Sequence, residues 1–404
     1  MKALISMTET VIGRERLKSM VDGFMEKVVN VFRPDKIVLF YTEESREMVN
    51  LIKSRVDVEV EEIKLIDVVE FNSCFNIMFE TLKKYAGAEV LVNYIYGMKT
   101  ISSAITSSAV FSNAELVYIS GKRKNGVAKS GLEKVLISDA YRLGDAMVFK
   151  RVVGFFNAHN FDATIAEPQN LKAFEAKDEL IKFLSAYRCW DLFNYSDAFE
   201  LLKTSWKGLT KLVDVNSAKS NIEFLGRLLD YRSNVERLKM MLLDLVENAR
   251  RKNESESCDD AIARLYRATE LISRIFIEKG GYSDPIVIDE NNMGGEKDRI
   301  IIRVYGEFTE KKNGRIEFKV GLMKKIEILS EFELQIAIEM RNDRKSNDHL
   351  KRRNESILTH GFRVVKKEEA EKLHDHLFLY VKKVYGKYYD VDSGRCKFPK
   401  MVVV

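Results

Sequence analysis

The chain of 404 residues is long enough for two or three domains that each bury a core of their own. A hydrophobic content of 46% and only 4 prolines are typical of an ordered globular protein and exclude a largely disordered chain. The net charge of +5 permits contact with a polyanion without requiring it. No apolar run approaches the length of a membrane span, and residues 1–6 are too short for a signal segment, so we expect a soluble protein.

The cysteine pattern points to a reducing compartment. The four cysteines lack the spacing of a metal finger or of a disulfide framework. They are Cys74, Cys189, Cys258 and Cys396. We therefore predict a cytoplasmic protein with neither a structural metal nor disulfides.

Strand-like and helix-like segments alternate through the first half of the chain. Short apolar runs rich in β-branched residues occupy 2–6, 36–41, 58–65, 89–94 and 115–120, with further sheet predicted at 133–137 and 146–149. Helical periodicity occupies 14–31, 46–55, 71–85 and a small-residue segment that ends at 111. Residues 121–131, basic and glycine-rich, are predicted to form an exposed loop or hairpin. The alternation predicts a Rossmann-like α/β domain with a mostly parallel, doubly wound sheet.

Two turns that follow strands carry groups suited to a phosphate-bearing ligand. Such sheets bind ligands beyond the carboxyl ends of their strands, where unsatisfied amides at helix starts attract anions. The first turn offers hydroxyls, and the second adds a glycine and a lysine. The candidate ligand residues are Ser6, Thr8, Glu9, Thr10, Thr42, Asn93, Gly97, Met98, Lys99, Thr100 and Ser102. The alternative is that these are ordinary turns with capping hydroxyls. Neither glycine-rich nucleotide fingerprint is present, which disfavours ATP hydrolysis and hydride transfer.

The second turn resembles a motif of CARF domains, the sensors of cyclic oligoadenylate in type III CRISPR immunity. Asn93 followed by 97–102 is similar to the N-x-T-G-G-T-K-x-M-S turn of that family, with differences at Ile95, Tyr96 and Met98. The resemblance implies a cyclic tetra- or hexa-adenylate as an allosteric activator, with no other cofactor.

Helical periodicity dominates the remainder of the chain. Residues 168–251 are predicted to be helical, with a polar loop at 251–257. Helices are predicted at 261–279, 325–340 and 370–384. Strand-like runs at 286–288, 299–308 and 315–320, with a hairpin turn at 310–314, predict a small β insertion near 285–321. We divide the chain into 1–165, a sensor domain; 166–255, a helical connector; and 256–404, a mainly α-helical domain.

The last domain contains a candidate RNA-cleaving site. A run at 341–353 has six basic and two acidic residues, and Arg353, Asn354 and His360 follow at helical spacing. A histidine can transfer protons near neutral pH, and an arginine can stabilise the charge of a phosphorane. Asn354 can orient either group or the phosphate. Ser356 and Thr359 can bind the backbone or the substrate, although on a helix such residues more often bond the preceding turn. With these residues as catalysts, attack of the 2′-hydroxyl on the neighbouring phosphodiester requires no metal.

Arg353 and His360 also resemble the R-x(4 to 6)-H motif of HEPN ribonucleases, including the CARF-containing CRISPR effectors. Segments 187–193 and 259–267 are similar to the same effectors. The resemblance implies a homodimer with a composite active site that cleaves single-stranded RNA in antiviral defence.

Several alternatives remain open from the sequence. Arg344 and His349 also satisfy the motif, and His374-Asp375-His376 is a possible but disfavoured metal cluster. A nucleotide-sensing regulator that docks a partner would use the same first half. Another nucleotide-transfer reaction would use the same arginine and histidine.

Overall fold

The chain folds into two compact units. In this computed structural model, described residues are 1–112, 114–120, 123–124, 127–128, 134–139, 141–172, 174–289, 291, 293–305, 310–312, 314–343, 364–386 and 389–402. One unit comprises 1–150 with 169–175, and the other comprises 151–168 with 176–404. The three-part division expected from the sequence stays a prediction, because compactness alone does not mark functional boundaries. Within the described ranges, every helix is too short or too polar to cross a lipid bilayer.

The first unit is built on a six-stranded sheet with the order β3-β2-β1-β4-β5-β8. The strands are β1 (Lys2–Met7), β2 (Lys36–Tyr41), β3 (Glu59–Lys64), β4 (Glu89–Asn93), β5 (Glu115–Ser120) and β8 (Lys134–Asp139), and a small hairpin, β6 (Arg123–Lys124) and β7 (Val127–Ala128), precedes β8. Neighbouring strands are parallel except β5 and β8, which are antiparallel. The predicted Rossmann-like architecture is confirmed.

Helices cover both faces of this sheet, because alternate side chains of its central strands point to opposite faces. These helices are α1 (Arg14–Phe24), which continues through a π-helical turn (Met25–Val29) and a last α-helical turn (Asn30–Phe32), then α2 (Arg46–Lys53), α3 (Phe71–Lys83) and α4 (Lys99–Phe111), and a further helix, α5 (Tyr141–Asn157), follows β8. Leu4 and Leu91 pack with α1 and α2 in one buried layer. Ile5 and Val92 pack with α3 and α4 in the other. The sheet therefore holds its strand ends in fixed register.

The second unit is mainly α-helical. Its helices are α6 (Phe161–Ala166), α7 (Lys177–Asp191), α8 (Tyr195–Ser205), α9 (Val215–Asp230), α10 (Asn234–Glu254), α11 (Cys258–Lys279), α12 (Glu296–Tyr305), α13 (Leu322–Glu331), α14 (Gln335–Asn342), α15 (Lys367–Tyr385) and α16 (Tyr389–Arg395). Its interior includes aromatic residues: the Trp190 ring stacks on Phe224 with centroids 5.7 Å apart and lies 5.0 Å from Phe398. Trp190 is fully buried, as expected for a packing anchor.

A three-stranded sheet interrupts these helices. Strands β9 (Ile286–Asp289), β10 (Glu310–Lys312) and β11 (Arg315–Phe318) form the order β10-β11-β9 with antiparallel pairing. Gly314, with a φ of +72°, lies in the connection between β10 and β11. This sheet confirms the predicted β insertion. Ile286 and Phe318 bury their side chains beside helix α13.

Four local predictions were wrong. Residues 299–308 were expected to form a strand, but 296–305 are helix α12, and 146–149 lie inside α5. Short apolar runs do not distinguish a strand from a buried helical turn. The predicted helix at 325–340 is two helices, because Glu333 adopts a φ of +59° between α13 and α14. The predicted loop at 251–257 begins later, since α10 continues to Glu254.

Candidate functional sites

The predicted ligand residues of the first unit gather at the carboxyl end of its parallel strands. The chain places β2 and β3 on one side of β1 and β4 on the other, so the strand order reverses between β1 and β4. Ser6 and Asn93 pair in register there, and the Asn93 Nδ2 donates to Ser6 Oγ over 3.0 Å. Both side chains are fully buried. They lie at the strand-order reversal, which is the position where such sheets bind ligands.

The turn after β1 is fixed by hydroxyl groups from two strand ends. Thr8 is buried, and its Oγ1 lies 2.7 Å from Ser45 Oγ and 3.2 Å from the Phe40 carbonyl oxygen. Ser45 Oγ in turn accepts the Thr42 amide over 2.9 Å. These hydroxyls therefore tie the ends of β1 and β2 together. Thr10 is exposed, and it is the hydroxyl of this turn that solvent reaches most freely.

The turn after β4 combines an unusual backbone with a helix start. Gly97 has a φ of +92°, which favours glycine because an L side chain is strained there. Met98, 48% exposed, caps α4 without a side-chain hydrogen bond, and Lys99 is the exposed first residue of that helix. Ser102 Oγ donates to the Tyr96 carbonyl oxygen over 3.3 Å and closes the turn, while Thr100 is half-buried. The arrangement presents helix amides and a cation, which together attract anions.

Three further side chains at this edge were not singled out from the sequence. Arg46 begins α2, where its Nη1 donates to the Tyr41 hydroxyl over 3.1 Å. Tyr94 follows β4, and its ring stacks on that of Tyr118 with centroids 5.6 Å apart. Aromatic faces and guanidinium groups suit bases and phosphates, respectively. All three could have been found from the sequence. Arg46 begins a predicted helix, Tyr94 ends a predicted strand, and Tyr118 lies in the next predicted strand.

Tyr96 adds a buried hydroxyl to the turn after β4. Burial, and to a smaller degree the nearby Glu9 carboxylate, raises the pKa of Tyr96 to about 12. Its ring packs edge-on against Phe24 at a centroid distance of 6.2 Å. The phenol therefore remains protonated at neutral pH and anchors the turn to α1.

The predicted RNA-cleaving residues Arg353, Asn354 and His360 lie outside the described residues. The alternative pair, Arg344 and His349, lies outside them as well. The roles assigned to these side chains accordingly stay predictions. The neighbouring helices are described: α14 ends at 342, and α15 begins at 367.

The second unit contains a buried ionic network that joins three helices and the C-terminal segment. Arg251, only 1% exposed, donates from Nε to Asp191 Oδ1 over 3.2 Å, and its Nη2 lies 3.5 Å from Asp244 Oδ1. Asp244 accepts hydrogen bonds from Trp190 Nε1 at 3.0 Å and from the Tyr195 hydroxyl at 2.9 Å. Burial raises the pKa of the Asp244 carboxyl to about 6, although Arg251 opposes the shift. The network makes α7, α8 and α10 mutually dependent.

The guanidinium of Arg251 is also held by an aromatic ring. Its carbon lies 3.9 Å from the centroid of the Phe398 ring, within the range of a cation–π contact. Within the described part of the chain, Arg251 Nη1 and Nη2 have no hydrogen-bond partner. Electrostatic attraction to the two aspartates and the ring therefore replaces part of the lost hydration.

A cavity of about 520 Å³ opens beside this network. It is lined by the turns after α5, α7 and α10, including His159, Asp191 and Lys252. Its charges pair with one another: Lys252 Nζ lies 2.6 Å from Asp191 Oδ2, and Arg188 Nε lies 2.7 Å from Asp162 Oδ1. The lining carries four carboxylates, from Asp162, Asp191, Glu254 and Glu256, against the two cations of Arg188 and Lys252, so the cavity wall is acidic, unlike the sheet edge with its cations and helix amides.

His374, Asp375 and His376 do not gather as a ligand set in the structure. His374 Nδ1 lies 3.4 Å from Asp375 Oδ1, whereas His376 contacts Asp343. Over the described ranges, no group of histidine, cysteine and acidic residues has the arrangement of a metal site.

Comparisons with known proteins address both units. Residues 232–383 match the family model of the Csm6 HEPN domain. Csm6 from Enterococcus italicus bound to cyclic hexa-2'-fluoro-hexa-dAMP has a similar structure over 98% of this chain and 98% of its own, with a TM-score of 0.64 and 14% sequence identity. No sequence match was found among curated proteins.

A second solved structure shows only a weak likeness. Can2 from Sulfobacillus thermosulfidooxidans in complex with cyclic tetra-adenylate (cA4) covers 48% of this chain and 66% of its own, with 13% identity and a TM-score of 0.24. The two comparisons agree: residues 232–383 are similar to the HEPN domain of Csm6, and the chain shares the fold of Csm6 over 98% of its length.

Proposed function

We propose that this protein is an endoribonuclease of type III CRISPR antiviral defence that cyclic oligoadenylate activates. The observation that carries the proposal is the conjunction of two features in one chain. The first unit has a ligand edge of the kind that binds nucleotides, and residues 232–383 match the Csm6 HEPN domain. The similar Csm6 structure holds a cyclic hexanucleotide analogue, which supports a cyclic oligoadenylate as the ligand.

The sensor residues divide by the way they would act. Lys99 is exposed at the start of α4, where no side chain caps the helix, and together with the first amides of the helix it would bind phosphates directly. Ser6 and Asn93 are buried, so they would shape the floor beneath the ligand. Tyr94 and Tyr118 are half-buried and stacked, and they would offer an aromatic surface to an adenine base.

The cleavage step would use Arg353, Asn354 and His360. An imidazole can accept the proton of the attacking 2′-hydroxyl or protonate the leaving oxygen. The Arg353 guanidinium would stabilise the charge that develops on the phosphorane. Asn354 would orient the phosphate. The products would be a 2′,3′-cyclic phosphate and a free 5′-hydroxyl, and the reaction would need no divalent metal ion.

Activation would operate through a homodimer. Each subunit would contribute one arginine and histidine set to a shared cleavage site. The ligand would favour the arrangement in which the two sets face one substrate, because a ligand shifts a conformational equilibrium only through different affinities for its states.

The test is cleavage of a fluorescently labelled single-stranded RNA in EDTA, with and without cyclic tetra- and hexa-adenylate. We expect ligand-dependent cleavage by the wild type and loss of cleavage in Arg353→Ala and His360→Ala. The matched controls are Arg344→Ala and His349→Ala, which are expected to retain activity.

Four results would overturn different parts of the proposal. Cleavage that requires added metal would reject the mechanism, and loss of activity in the control variants alone would move the site to Arg344 and His349. Ligand binding without cleavage of any RNA would favour a nucleotide-sensing regulator, whereas a mass increment on a target would favour nucleotide transfer.

A further inference from the structure

The end of helix α14 is fastened to helix α15 by one carboxylate. Asp343 Oδ2 accepts a hydrogen bond from the Tyr380 hydroxyl at 2.8 Å and another from His376 Nε2. The two donors lie four residues apart on α15, so they share a face of that helix. The side chains of Asp343 and His376 are 14% and 19% exposed, and water therefore screens this contact only weakly.

Asp343 stands where the chain leaves the helix. It caps α14 with an extended backbone, φ −82° and ψ +100°, so the helix ends at this residue. The next residue begins 344–363, which carries the predicted Arg353 and His360. The chain beyond this segment is also anchored: Val365 is buried, and Asn253 Nδ2 lies 3.4 Å from the Lys367 carbonyl oxygen.

A second contact between α14 and α15 is neither buried nor located at the end of α14. Glu339 on α14 pairs with Lys383 on α15, but both side chains are substantially exposed. The pair lies a full helical turn before the end of α14. Exposed pairs of this kind contribute little to stability. The Glu339–Lys383 pair therefore links α14 to α15 without fixing the residue at which the chain leaves α14.

We propose that Asp343, His376 and Tyr380 form a clasp that positions the RNA-cleaving segment. The inference rests on the proposed ribonuclease function and assigns these residues a positioning role. Displacement of a catalytic group by about 1 Å can reduce a rate by about a hundredfold. Release of the clasp is therefore expected to lower kcat while substrate binding persists.

The experiment compares clasp variants with the matched control in the activated full-length protein. We expect Asp343→Ala to lower kcat for RNA cleavage about tenfold or more. KM for RNA and the affinity for cyclic hexa-adenylate should change less than about twofold, since neither depends on this contact. Tyr380→Phe, which removes only the hydroxyl, should lower kcat in the same direction. Glu339→Gln should leave all three quantities unchanged.

Conservative replacements distinguish positioning from general destabilisation. His376→Gln retains an N–H donor and should keep more of the wild-type kcat than His376→Ala, at matched thermal stability. Equal kcat in wild type and Asp343→Ala would refute the clasp, and so would an equal loss in Glu339→Gln. A wild type that cleaves no RNA under any activating condition would instead refute the proposed function, and the two failures are distinct.

Discussion

Replacement of Arg251 by methionine tests the buried network of the second unit. The substitution keeps an unbranched side chain of similar length over the Phe398 ring but removes the charge between Asp191 and Asp244. Arg251 is 1% exposed, so water cannot replace it without a rearrangement. Loss of one partner from a buried ionic group costs about 3–5 kcal/mol, and we expect a loss of this size in the free energy of unfolding near pH 7.5.

The loss should shrink in acid. Burial already raises the pKa of the Asp244 carboxyl to about 6, and Arg251 is the main group that opposes this shift. Without the arginine the folded-state pKa rises further above the unfolded value of about 3.9. A raised carboxyl pKa means that the folded state binds the extra proton, so stability is gained as the pH falls through the folded-state pKa. The difference between wild type and Arg251→Met should therefore be smaller at pH 5 than at pH 7.5.

Tryptophan fluorescence during urea unfolding provides the assay. The two tryptophans of the chain, Trp190 and Trp206, both belong to the second unit, so the signal reports on that unit. Arg267→Met is the matched control, because Arg267 pairs with Glu270 at the exposed surface of α11 and should cost less than about 1 kcal/mol. A deficit in Arg251→Met below about 1 kcal/mol, or one that does not vary with pH, would refute the reasoning.

Three further outcomes are expected. Gly97→Ala should weaken binding of cyclic oligoadenylate in titration calorimetry, because the φ of +92° strains any side chain by about 1–3 kcal/mol; unchanged affinity would contradict this. Lys99→Ala should lower that affinity about tenfold and reduce its salt dependence, whereas Lys18→Ala, equally exposed on α1, should change neither. Burial, followed by repulsion from Arg251, lowers the pKa of His159 to about 4, so the unfolded chain binds the proton first and the contribution of His159 to wild-type stability falls as the pH drops from about 6.5 to 4. Relative to wild type, His159→Gln should therefore gain stability in urea titrations as the pH is lowered over that range, and a difference that does not vary with pH would exclude this origin.

Local sequence patterns were sufficient for the architecture of the first unit. Strands β1, β2 and β4 are nearly continuous apolar runs, which is the pattern of parallel strands covered on both faces. The position of the candidate ligand residues could be predicted for the same reason, because the turn after a parallel strand must lie at the carboxyl edge of the sheet; their role in binding stays a prediction. Residues 299–308 illustrate the limit. Their β-branched side chains favour a strand, but acidic residues at the start of α12 and packing of Ile301 decide for a helix.

Contacts between distant residues could not be predicted. Thr8 meets Ser45, and Asp343 meets His376, through pairings that only the assembled fold creates. The buried network has the same character: Asp191 was recognised as part of a family-like segment, but nothing local to it specifies Arg251 as its partner. Single residues of suitable chemistry can be found in a sequence, whereas their partners follow from topology.

The sequence left open whether the hydroxyls of the turns at the sheet edge contact a ligand or cap the turns. Their hydrogen bonds in the structure bear on this choice. Thr8 and Thr42 both engage Ser45, so a ligand that used their oxygens would have to break bonds already made inside the protein. Such an exchange yields little net free energy, because one satisfied hydrogen bond replaces another. Lys99 and the amides at the start of α4 face no comparable cost. Recognition of the anionic ligand is therefore expected to depend on these exposed donors, while the buried hydroxyls determine the shape of the crevice into which the ligand fits.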